Sequence, residues 1–76
     1  MQYRIDEIRR EKFDVLLNHL GFTSRMKKSL IMRYESDCSY TRSIVSFTHN
    51  VTEHGLMKAE KKVLKAHEEF NNVYSD

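Results

Sequence analysis

Four lysines near the C-terminal end, Lys58, Lys61, Lys62 and Lys65, recur at steps of three, one and three residues. On a helix that spacing gathers them on one side, beside rather than within an apolar stripe at Leu56, Ala59, Val63, Ala66 and Phe70. A cationic face next to a packing face is suited to binding a polyanion, and its alternative is an ordinary solvated surface. The four histidines, His19, His49, His54 and His67, raise metal chemistry, but their separations place no two ligands on one helical turn. The lone Cys38 has no cysteine partner, and Asp37 beside it does nothing to activate a thiolate. No serine, cysteine or carboxylate pair stands in an activating setting, and no glycine-rich phosphate loop is present. The expectation is therefore a non-enzyme with no cofactor, no bound metal and no small-molecule ligand.

The elements that position these residues follow from composition. The chain has 76 residues, 39% of them hydrophobic, with two glycines and no proline. About thirty apolar side chains are enough for one small core, so residues 1–76 read as a single domain. The composition favours an all-α fold, a small bundle of about four helices, over sandwich or fibrous classes. One cysteine excludes a disulfide scaffold. No apolar run reaches the roughly 18 residues of a membrane span, and the opening MQYRIDEIRREK lacks the pattern of a signal peptide. A cytoplasmic protein without membrane contact is the expectation.

Charge is distributed unevenly. Residues 1–22 are balanced, residues 23–65 carry nine Lys or Arg against four Asp or Glu, and residues 66–76 carry three carboxylates. A segment of +5 thus lies inside a chain of net charge +2.

Periodicity predicts a first helix over about 5–20, with Ile5, Ile8, Phe13, Leu16, Leu17 and Leu20 on one face and Gly21 as its left-handed stop. A second helix, capped by Thr23 or Ser24, carries Met26, Leu30, Ile31 and Tyr34. Residues 35–39 read as a turn. A third helix over 41–49, capped by Thr41, turns Ile44, Val45 and Thr48 inward. A fourth runs from Thr52 to about Phe70, leaving Asn71 to Asp76 frayed.

Residues 41–62 fit a helix-turn-helix. Small Ser46 permits two helices to approach closely, and Asn50 supplies the left-handed turn residue that is usually glycine. Val51 plugs the turn, Thr52 caps the second helix, and Val45, Leu56 and Ala59 pack the pair together. His49 replaces a more usual apolar residue, and Gly55 costs on the order of 1 kcal/mol inside the helix. In this reading Glu53, His54, Met57 and Lys58 occupy the exposed first turns of a recognition helix in double-stranded DNA. Lys58 reaches guanine or a phosphate, Glu53 accepts from cytosine N4, and Thr41, Arg42, Thr52, Lys61 and Lys62 meet the backbone. The alternative for Glu53 is a charge complementing a helix N-terminus, and for Met57 partial burial.

Several of the same residues carry a family resemblance. An apolar helix ends in Leu16-Leu17, and a capped helix runs through Leu30, Met32 and Arg33. A Ser/Thr-led helix then holds Val45, ahead of a turn and a Gly55-Leu56 pair. Over Val15 to about Lys62, some two thirds of the chain, this resembles the PapB-type adhesin regulators of enteric bacteria, small helical proteins that control fimbrial operons. The turn and last helix are also similar to the KorA-type plasmid repressors, through Val51-Thr52, Leu56, Ala59 and Val63. Both resemblances imply an oligomeric, DNA-binding transcriptional regulator. The large apolar residues of segment 3–20, Tyr3, Ile5, Ile8 and Phe13, are the expected homodimer contact, unless they simply close the core. The competing functional class is a small interaction protein that uses the same helices to hold a protein partner.

Overall fold

A computed structural model describes the backbone of residues 4–74 and the side chains of residues 4–70. Among them the chain is all helical: a 3-10 turn at Ile5–Glu7, then α1 (Arg10–His19), α2 (Ser24–Glu35), α3 (Arg42–His49) and α4 (Glu53–Tyr74). One core unites them, built from Ile5, Ile8, Phe13, Leu16, Leu17, Leu30, Val45, Leu56, Ala59 and Val63. Phe13 stacks on Tyr34 with centroids 4.2 Å apart, joining α1 to α2.

The expected first helix is broken. Ile8 and Arg9 are extended, with ψ of 137° and 141°, so the 3-10 turn precedes α1 as a separate strap. Tertiary burial overrides local periodicity here: the strap places Ile5 and Ile8 against the rest of the core, and the Tyr34 hydroxyl donates to the Ile8 carbonyl. Ile5, Ile8 and Phe13 are 1%, 2% and 0% exposed. Their side chains are therefore spent inside one chain and close its core, the alternative raised for them above. Tyr3, the fourth residue of that set, lies outside the described residues.

Capping matches the sequence closely. Thr23 accepts a hydrogen bond from the Met26 amide, and Thr41 accepts one from the Ile44 amide. Gly21 has φ of +66° beyond the end of α1. α4 continues through Tyr74, past the expected stop near Phe70.

α3 is rotated relative to expectation. Val45 and Ser46 are buried while Ile44 is 49% and Phe47 is 90% exposed, and Thr48 also faces water. The inward stripe is Arg42, Val45, Ser46 and His49, the helical spacing i, i+3, i+4, i+7. Two features select this stripe over an apolar one: Ser46 is small enough to be buried at a close approach, and Arg42 meets a carboxylate on α4.

That carboxylate is Glu60, the least expected member of the interior. Its side chain is 6% exposed and lies between two arginines. Arg33 Nε and Nη2 donate to it at 3.3 and 3.2 Å, and Arg42 Nε and Nη2 donate at 2.9 and 3.2 Å. Arg33 also donates from Nη1 to the Cys38 and Tyr40 carbonyls at 3.2 and 2.8 Å. The α2–α3 connection needs this support, because Asp37 and Cys38 hold left-handed φ of 54° and 60°. Such conformations cost on the order of 1 kcal/mol or more each for residues with a Cβ. One guanidinium thus ties the strained loop to α4.

Candidate nucleic-acid interface

The candidate surface is assembled from the starts of α3 and α4 and the turn between them. α3 ends at Asn50, whose φ of 55° and ψ of 48° are left-handed, and its amide bonds to the Ser46 carbonyl. Asparagine tolerates this conformation better than most residues with side chains. Val51 is half-buried beneath the turn, and its amide also bonds to Ser46 O at 3.0 Å. Thr52 Oγ1 accepts from the Gly55 amide at 2.9 Å, closing the first turn of α4. The same oxygen accounts for the glycine: a Cβ on Gly55 would stand 2.8 Å from it. Three residues thus connect two capped helices.

Of the expected contact residues, Thr41, Arg42, Glu53, His54 and Met57 converge on one open depression of about 450 Å³, with Arg33, Cys38 and Ser43 completing its walls. Glu53 and His54 are exposed, and Met57 is half-buried. Thr52 is exposed on the turn. Lys58, Lys61 and Lys62 are exposed along α4 but are not among the walls of the depression. With His54 and Lys65 they keep the helical spacing of a single face. Among the described residues none of these four lysines forms an ion pair.

Electrostatics separate the two arginines from the lysines. Arg33 and Arg42 share one carboxylate, so the cluster retains a single positive charge, and Arg42 brings it to the surface at 42% side-chain exposure. Glu60 thereby holds the Arg42 guanidinium in one orientation at the rim of the depression. The glutamate had a legible signal: it lies four residues after Leu56 and three before Val63, inside the apolar stripe. Arg33 follows Leu30 by three residues in the same way. In a lysine-rich helix a single glutamate reads as solvated, and only its position in the stripe reveals otherwise.

The remaining reactive groups are quiet. Burial pushes the Cys38 thiol above its ordinary range, reinforced by a 3.3 Å bond to Asp6. Burial pulls the His67 imidazole below its ordinary value, with the Lys12 charge adding to the effect. Among the described residues no three His, Cys, Asp or Glu side chains are grouped to hold a metal ion. No helix among them is long and apolar enough to cross a membrane. Comparison of the chain with protein-family models, curated proteins and solved structures returns no match.

Proposed function

We propose that this protein is a sequence-specific DNA-binding transcriptional regulator of bacterial, plasmid or phage type, working as an oligomer from the cytoplasm. The observation that carries the reading is the α3–α4 pair, pivoted on left-handed Asn50 and capped by Thr52, with unpaired lysines on the outer face of the second helix. In this reading α4 enters the major groove by its N-terminal turns. Glu53, His54 and Met57 then face base edges, and Lys58 reaches a guanine or a phosphate. Thr41, Arg42, Thr52, Lys61 and Lys62 meet phosphates and set the register. The contribution of Glu60 is to pre-orient Arg42, so less side-chain freedom is lost when the guanidinium docks.

The test is a paired substitution, Lys58→Ala with Lys62→Ala, in a duplex-binding titration at several salt concentrations. Each phosphate contact contributes about 0.9 to the slope of log affinity against log salt, so the double variant lowers the slope by up to about 1.8. Unchanged affinity and slope would remove this face from the footprint. The exposed apolar residues of α3 favour a second reading, an interaction protein that docks a protein partner, and that reading needs none of the lysines.

A further inference from the structure

α3 departs from the other three helices in what it shows to water. The exposed side chains of α1, α2 and α4 include Asp, Glu, Lys or Arg, whereas those of α3 are Ser43, Ile44, Phe47 and Thr48. These four share one face at steps of one, three and one residues, and Phe47 is 90% exposed. The only formal charge on α3, Arg42, is held by Glu60 and belongs to the inward stripe. His49 is half-buried on that same stripe.

We propose that this face is the contact between two copies of the chain. An uncharged face meets its own image across a two-fold axis without like-charge repulsion, and no other helix of the molecule offers that. Hydroxyls at Ser43 and Thr48 flank the apolar pair as a polar rim. The Thr48 hydroxyl is already engaged within α3, its Oγ1 donating to Ile44 O at 2.8 Å. The contact is driven chiefly by the burial of Ile44 and Phe47. Phe47 and Ile44 together offer roughly 250 Å² per copy at their observed exposure. A specific interface needs roughly 1,000 Å² in total, so the rim and turn residues around them must supply about half of it. A weak dimer, dissociating in the micromolar range, is what that area supports.

The inference rests on the regulator reading only for the use of two half-sites, and its test contains no DNA. Sedimentation velocity of the full chain across about 1 to 200 μM is expected to show a monomer–dimer equilibrium. Phe47→Glu places two carboxylates face to face and is expected to raise the dissociation constant at least tenfold, with unchanged far-ultraviolet circular dichroism because the site is exposed. Ile44→Arg is expected to act the same way, whereas Lys58→Ala leaves the equilibrium unchanged. A wild-type chain that stays monomeric throughout overturns the proposal and leaves the face to a different protein. A dimer that survives both α3 substitutions overturns it equally, by placing the contact elsewhere. Loss of DNA binding in the lysine variants would not bear on either outcome.

Discussion

Glu60→Gln keeps the shape of the side chain and one acceptor oxygen while removing the charge that two arginines share. Four hydrogen bonds of 2.9–3.3 Å converge on this carboxylate, whose exposure is 6%. The two partners differ in what happens next. Arg42, at 42% exposure, can turn its donors to water, but Arg33, at 10%, is left as an uncompensated interior cation. Breaking a buried pair from one side costs about 3–5 kcal/mol, and the retained oxygen places this variant near 3 kcal/mol. A chain of this length has a total stability of roughly 4–11 kcal/mol, so the loss is a large fraction of it. At about 4–8 °C per kcal/mol for a domain of this size, the melting temperature falls by about 12–24 °C. The half-exposed pair is worth less, so Arg42→Ala costs about 1 kcal/mol. Urea and thermal unfolding followed by circular dichroism measures both variants. Burial predicts that the Glu60→Gln loss persists at high salt. A loss below 1 kcal/mol, or one that vanishes with added salt, would refute the idea that this cluster holds α2, α3 and α4 together.

Gly55→Ala should be close to neutral, because about 1 kcal/mol of helix propensity is offset by displacing the Thr52 hydroxyl from its cap. In a Thr52→Ala background the same change should stabilise by about 1 kcal/mol, and a double-mutant cycle in urea reads the difference. His67 titrates lower in the folded chain than its ordinary value of 6.5, so its contribution to stability is complete above that pH. The contribution is lost as pH falls through the lowered folded value, and His67→Gln should flatten the dependence seen in unfolding titrations between pH 7.5 and 5.

The backbone plan was legible because its signals are local. Thr23, Thr41 and Thr52 cap helices wherever their hydroxyls can reach an amide, and Asn50 and Gly21 take left-handed turns for reasons of Cβ sterics alone. Three features were not legible, and each is tertiary. The strap holding Ile5 and Ile8 has the apolar spacing of a helix, and only the space above the core decides that it bends. The rotation of α3 depends on Ser46 and Arg42, two polar residues that periodicity scores as outward. The carboxylate between Arg33 and Arg42 joins positions 27 and 18 residues apart in the chain, beyond any local pattern. Of the candidate surface, sequence reasoning named five walls of the depression and the exposed lysines. It missed the buried glutamate that holds Arg42 in place.

DNA binding by this protein is read out by fluorescence anisotropy of the wild-type chain with labelled AT-rich and GC-rich duplexes between about 50 and 200 mM salt. Arg42, Lys58, Lys61 and Lys62 on phosphates give a salt slope of up to about −3.6 per chain, or roughly a 100-fold loss of affinity across that range. Binding with that steepness and a preference for one duplex is the expected result. No change in anisotropy at 50 mM salt, with protein raised to about 100 μM, would contradict it, since even non-specific DNA binders associate under those conditions.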